Sequence, residues 1–204
     1  MEIDTTLKNR VADSGILVYN LEDHLAGPDG QMQEAVEVDL APWLHRGLVL
    51  REKPFREAVK EHDWSQYAGQ HVGVFCSADA IVPTWAYMLV ASRLREHAAS
   101  VGFGRKEEAL RDHFTRALAE EDWSAYDGRI VVIKGCGSRL VPTGAYVQAT
   151  TALMGVAKKL MYGEPCSAVP LWRAPKPARP ATAAATKTAG VARPALAAPP
   201  PPKA

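Results

Sequence analysis

The sequence predicts an α/β fold: two tandem strand-helix-strand repeats forming a largely parallel sheet, with a peripheral N-terminal β-hairpin and a disordered C-terminal tail. Three observations carry that expectation. The first is an internal duplication. Asp63 to Gly104 and Asp122 to Gly163 align without a gap at an offset of 59, and fourteen of the forty-two positions are identical. The second is the pattern inside each copy, a short apolar run, a stretch at helical spacing and another short run. Strand, crossover helix and strand in that order require parallel pairing. The third is a break in composition, since eight of the fifteen prolines fall within residues 173–204, a segment without an acidic residue.

In chain order, Gly15 to Asn20 is short, apolar and β-branched, and Ala35 to Val38 alternates before Asp39. Gly27, Pro28, Asp29 and Gly30 lie between them, so the two runs are expected to form the hairpin. Asp39 is placed to cap a short helix containing Pro42, Trp43 and Leu44. From Pro54 onward, Phe55, Ala58 and Val59 recur at helical spacing. Phe114, Ala117 and Leu118 follow them at the same offset of 59, so the duplicated unit begins near residue 55. The expected organisation is one domain over residues 1–172, comprising 1–54 (N-terminal hairpin and helix), 55–113 (repeat one) and 114–172 (repeat two), followed by the tail 173–204.

Each copy opens with D-W-S-x-Y-x-G (Asp63 to Gly69, Asp122 to Gly128), in which Asp63, Ser65, Asp122 and Ser124 close local turns. His71 to Phe75 and Arg129 to Lys134 read as strands. Helices are expected from Pro83 to about Ala98 and from Pro142 to about Lys158. Ser100 to Phe103 and Lys159 to Tyr162 read as the closing strands. Ligands of such sheets bind beyond the carboxyl ends of the strands, which is where Cys76 and Cys136 fall.

The net charge of +1 is unevenly divided. Six Lys and Arg lie in residues 173–204, which leaves 18 basic against 23 acidic residues in 1–172, a net of −5. Specific nucleic-acid binding by the body is therefore disfavoured. No apolar stretch approaches the roughly 18 residues needed to span a bilayer, and the first ten residues are polar, so the expectation is a cytoplasmic protein with no membrane partner. Three cysteines, an odd number, fit reduced thiols in that setting. A glycine-rich phosphate loop, G-x-S-x-G and H-E-x-x-H are all missing from the sequence, which speaks against a standard kinase, hydrolase or dinucleotide enzyme.

Two features mark candidate sites. Both crossover helices are entered through V-P-T (Val82 to Thr84, Val141 to Thr143). With Pro at the first helical position the N-cap residue is Val, which cannot cap, so the first-turn N–H groups need other partners. Asp79 and Ser138 at matched loop positions can fold back to satisfy them, or a bound anion can, with Thr84, Thr143 and Lys134 beside it. The second feature is that Cys76, Cys136 and Cys166 each precede a Val-Pro and each follow a strand. Three thiolates can ligate zinc or an iron-sulfur cluster, and one thiolate at a helix N-terminus can act as a sulfur acceptor. The alternative is that the cysteines are small hydrophobes of the core.

The strings C-S-A-D-A-I-V-P-T-W-A-Y-M-L (Cys76 to Leu89), E-H-D-W-S-Q-Y (Glu61 to Tyr67), N-R-V-A-D-S-G-I (Asn9 to Ile16), V-I-K-G-C (Val132 to Cys136) and Y-G-E-P-C-S-x-V-P-L (Tyr162 to Leu171) resemble the bacterial domain-of-unknown-function family 2480. The resemblance covers nearly the whole body and stops before the tail. It implies no activity and transfers no catalytic residue. Genes of that family often lie beside iron-sulfur assembly genes, an association by which the resemblance implies sulfur or iron handling and iron-sulfur assembly proteins as partners.

Three functions are consistent with the chain. One is an accessory factor in iron-sulfur cluster or sulfur metabolism that uses Cys76, Cys136 and Cys166. Another is a small-molecule or anion-binding enzyme that uses the paired V-P-T helix N-termini. The third is a non-catalytic scaffold or interaction protein.

Overall fold

The computed structural model describes residues 15–135, 139–165 and 167–175. All but the first three residues of the expected tail lie outside them. In chain order the elements are β1 (Ile16–Tyr19), β2 (Ala35–Asp39), α1 (Glu52–Glu61), β3 (His71–Phe75), α2 (Thr84–Leu94), β4 (Ser100–Phe103), α3 (Lys106–Glu120), β5 (Ile130–Ile133), α4 (Thr143–Met154), β6 (Lys159–Tyr162) and β7 (Val169–Arg173), with short 3-10 turns between several of them. The fold is α/β, each copy contributes a helix, strand, helix and strand in the expected order, and the pairing is parallel except at β7.

The strand order corrects two details of the expected topology. The copies do not share one sheet. Repeat one forms β2-β3-β4, and repeat two forms β1-β5-β6-β7. Nor do β1 and β2 make a hairpin: β1 runs parallel to β5, and β2 runs parallel to β3. The connection between them explains why. It contains the turn Leu21–Leu25, and both leucines are buried in the core of the second sheet, which separates β1 from β2.

Helix α3 divides the sheets. One of its faces, Leu110, Phe114 and Leu118, joins the core beneath β1, β5 and β6. Its other face lies on the back of β3 and β4, where the strands offer almost no side-chain volume. A Cβ at Gly102 would meet the Ala109 Cα at 2.7 Å, and one at Gly73 would meet the Gly104 carbonyl oxygen at 2.6 Å. At an offset of 59 the same positions in repeat two are Val132 and Met161. Glu37 of β2 fastens the N-terminus of α3, accepting from Lys106 N–H at 3.3 Å and pairing with Arg105 at 3.1 Å. The front of β2 and β3 carries a separate core of Val38, Val72 and Val74 against Phe55, Val59, Val90 and Leu94 from α1 and α2.

The repeated D-W-S-x-Y-x-G motif is a splice between helix and strand. Asp63 and Asp122 each accept from the backbone N–H two residues on at 3.0 Å, giving Asx turns. The indole of Trp64 reaches back to donate to Val59 O at 2.9 Å, and that of Trp123 donates to Leu118 O at 3.2 Å. Each indole satisfies a carbonyl in the last turn of the preceding helix, which otherwise has no intrahelical partner. Gly69 and Gly128 close the motif at φ of 68° and 63°, a conformation that L side chains rarely adopt.

Candidate binding cleft

β3 delivers Phe75 to the carboxyl rim, and the next eight residues lead to α2. Asp39, at the end of the neighbouring β2, holds the start of that loop by accepting from Ser77 N–H at 2.9 Å and from the Ser77 hydroxyl, as well as from Ala41 N–H at 2.9 Å. Burial pushes the Asp39 carboxyl up, but these hydrogen bonds and the nearby Arg105 outweigh it and hold the group below the usual carboxylate range. The loop then reaches Val82 and Pro83.

The helix starts one residue later than its sequence suggests. Pro83 is the N-cap, with ψ of 139°, and Thr84 is the first helical residue. The same holds for Pro142 and Thr143. Neither proline offers a cap side chain, but Ala86 N–H donates to Pro83 O and Ala145 N–H to Pro142 O, both at 2.9 Å. The need for outside partners is thus confined to the first two N–H groups of each helix.

Between α2 and α3, along the outer edge of β4, lies a cleft of about 850 Å³. Thr84, Tyr87, Met88 and Ala91 of α2 form one wall, and Asp112 and Arg116 of α3 form the other. Val101, Gly102 and Phe103 form its floor, and Ala80, Ile81 and Val82 close the rim. Ile81, Met88 and Phe103 are 94, 66 and 67% exposed, an unusual concentration of large apolar surface. Tyr87 meets Phe103 edge-on at 5.2 Å and 81°. Burial, then the neighbouring Cys76 thiol and Asp39 carboxylate, raise the Tyr87 phenol above its ordinary value, so it remains a neutral hydroxyl.

The cleft has a counterpart in repeat two. Tyr146 and Tyr162, the residues 59 positions after Tyr87 and Phe103, meet edge-on at 5.9 Å and 84°. They line a smaller space of about 500 Å³ with Ile133, Val147 and Thr150, the equivalents of Val74, Met88 and Ala91. The far wall differs. In repeat two it is made by Leu171 and Trp172 of β7, which pairs antiparallel with β6. In repeat one, among the described residues, β4 is the edge of its sheet.

Of the residues expected at a site, Thr84 lines the first cleft. Cys76 is half-buried and, like Tyr87, packs against the front core of the first sheet, with its thiol 3.8 Å from Ala78 O. Asp79 is exposed in the loop. Lys134 and Thr143 belong to repeat two. Lys134 is half-buried and donates its backbone N–H to Tyr19 O at 2.9 Å, while Thr143 is exposed at the start of α4. Cys136, Ser138 and Cys166 lie outside the described residues. Among the described residues no three His, Cys, Asp or Glu side chains converge as a metal site. Sequence reasoning passed over Phe103, Asp112 and Arg116. The aromatic at 103 and 162 is a repeated feature and was findable, whereas Asp112 and Arg116 reach the cleft only through the packing of α3.

No helix among the described residues is long and apolar enough to cross a membrane. Neither a curated protein nor a solved structure matches the chain. The family model described as protein of unknown function (DUF2480) matches residues 5–174, a span that holds both repeats, β7 and the cleft, and the chain belongs to that family.

Proposed function

We propose that this protein is a non-catalytic interaction module whose partner binds in the cleft between α2 and α3. The observation that carries this reading is the unequal pairing of two equivalent strand edges, β4 and β6, beside two equivalent clefts of which the first is the larger. In repeat two β7 pairs with β6 and forms one wall of the smaller cleft, whereas among the described residues no strand pairs with the outer edge of β4, beside which Ile81, Met88 and Phe103 are exposed. A mostly apolar space of this volume with a few polar groups at one wall is the usual form of a binding site. Anilinonaphthalene sulfonate, an apolar fluorescent probe, tests it. Its fluorescence should rise on wild type and on Val147→Glu, and fall strongly on Met88→Glu. Equal fluorescence from all three would remove the cleft as a binding surface.

Two other readings belong to the same molecule. A small-molecule or anion-binding enzyme would use the paired helix N-termini, through Asp79, Thr84 and the first N–H groups of α2, with Ser138 and Thr143 at the corresponding places of repeat two and Lys134 just after β5. The family's implied link to iron-sulfur metabolism gives the other: an accessory factor with Cys76, Cys136 and Cys166 as thiol ligands or sulfur acceptors, an iron-sulfur cluster or zinc as cofactor, and assembly proteins as partners. The position of Cys76 at the carboxyl end of β3, incompletely buried, favours it. Anaerobic reconstitution with iron and sulfide should give charge-transfer absorption that Cys136→Ser and Cys166→Ser lose. An unchanged spectrum in both variants would remove them as ligands. In each reading residues 1–172 act as one cytoplasmic domain and 173–204 as a solubilising spacer.

A further inference from the structure

The open cleft continues along the whole edge of β4. A second space of about 490 Å³, lined by Met88, Ala91, Arg95, Ser100, Val101 and Arg116, adjoins the first. Together they make a groove running from Ser100 to Phe103 with α2 on one side and α3 on the other. Gly104 N–H donates to Val74 O, so in the alternating parallel ladder the N–H and C=O groups of Val101 and Phe103 point away from β3 into this groove. Their equivalents in repeat two, Leu160 and Tyr162, are paired with Trp172 and Val169 of β7.

We infer that the partner is an extended peptide segment of another protein, added antiparallel to β4 as β7 is added to β6, with an apolar centre and a carboxylate at its C-terminal end. This rests on the interaction reading above and specifies its ligand. The direction follows from the repeat, and charge agrees with it. An antiparallel strand places its C-terminal end beside Ser100, where Arg95 and Arg116 line the groove, and its N-terminal end toward Phe103, where Asp112 does. In the unbound protein the Arg116 guanidinium donates to Val101 O at 3.4 Å. A docking strand supplies its own N–H to that carbonyl and frees the guanidinium for the carboxylate. Apolar side chains of the strand meet Met88, Tyr87 and Phe103, the counterparts of the residues that line the cleft beside Trp172.

The test uses the full chain, isotopically labelled, and a synthetic peptide Ala-Val-Pro-Leu-Trp-Glu with a free carboxylate, which is the β7 pattern with its terminal Arg replaced. Binding should shift the Val101 and Phe103 amide resonances and slow the hydrogen exchange of both. Arg116→Gln, or a Lys-ended amidated peptide, should weaken it roughly tenfold, the value of one charge-assisted pair. Val147→Glu should bind as wild type does. If the peptide displaces the fluorescent probe but leaves those two amides exchanging freely, the strand geometry is wrong while the cleft remains a binding site. If neither peptide nor probe binds, the interaction reading fails with it. Two findings in the peptide-free chain would replace the foreign peptide as occupant: protection of these amides that vanishes on truncation after Pro175, or protection that grows with protein concentration.

Discussion

The imidazole of His71 on β3 lies 4.3 Å, centroid to centroid, from that of His113 on α3, at the seam where the two repeats meet. His71 is buried, its Nδ1 is 2.8 Å from the Ser100 hydroxyl, and its Nε2 has no hydrogen-bond partner among the described residues. Burial, with His113 adding to it, lowers its pKa to about 4. His113, with its Nε2 2.8 Å from His24 O, is also shifted down, first by burial. For a histidine whose folded-state pKa is depressed, the unfolded chain binds protons first, so the contribution to stability is complete above about pH 6.5 and is lost as pH falls toward 4. The His71 share is on the order of 3 kcal/mol. Urea midpoints of wild type should drop over that window, and His71→Ile, which installs the residue that repeat two carries at position 130, should flatten the drop. Parallel profiles for the two proteins would mean that the seam does not titrate.

Gly102 should be intolerant of any larger residue. Gly102→Val places a branched side chain where even a Cβ would be 2.7 Å from the Ala109 backbone, so α3 must lift from the sheet, at a cost of about 1–3 kcal/mol or more. Gly144→Ala is the contrasting case. Nothing lies within 4 Å of its added Cβ, and the first turn of α4 should gain up to about 1 kcal/mol of helix propensity. Chemical denaturation of both variants checks the pair, and a loss of stability in the second would contradict the account of α4.

The two tryptophans of the repeated motif should differ in weight. Trp64 is buried and bonds at 2.9 Å, whereas Trp123 is half-buried and bonds at 3.2 Å. Replacing each by Phe removes the indole donor and leaves a carbonyl at a helix end without it. Trp64→Phe should cost about 1–3 kcal/mol, and Trp123→Phe distinctly less because water can reach Leu118 O. Equal losses in calorimetry would show that exposure does not set the value of this contact.

Ending the chain after Pro175 should leave the melting temperature nearly unchanged, because the Pro/Ala-rich composition beyond it has little capacity to bury apolar surface. Ending it before Val169 should lower the melting temperature clearly, since β7 and its Trp172 are lost from the edge of β6. A similar fall in both truncations would show that the tail docks.

Local pattern made much of this fold legible. His71 to Phe75, Ser100 to Phe103 and Lys159 to Tyr162 are short apolar runs between turns, and each appears as a strand with those bounds. Partners were harder. Nothing in Ile16–Tyr19 or Ala35–Asp39 encodes that each pairs in parallel with a different repeat, because pairing depends on contacts more than thirty residues away. Pro170 and the nearby tail composition concealed β7, although an edge strand tolerates proline. At the cleft, the repeated V-P-T entry pointed to the N-terminus of α2, where Thr84 lines the space, but not to Tyr87. The residues opposite it, Asp112 and Arg116, read as ordinary polar positions of an amphipathic helix until α3 is placed.

The double contact of α3 bears on how the duplicated halves depend on each other. Its Phe114 and Leu118 complete one hydrophobic core while Ala109 seals the glycine-bare back of the other sheet. A chain cut between the copies would leave one half with an uncovered face, whichever repeat kept the helix: the first sheet would lose Ala109, or the second core would lose Phe114 and Leu118. The duplication has thus ceased to be modular: neither half is a viable inheritance by itself, and the pair should fold and be lost as a single cooperative body.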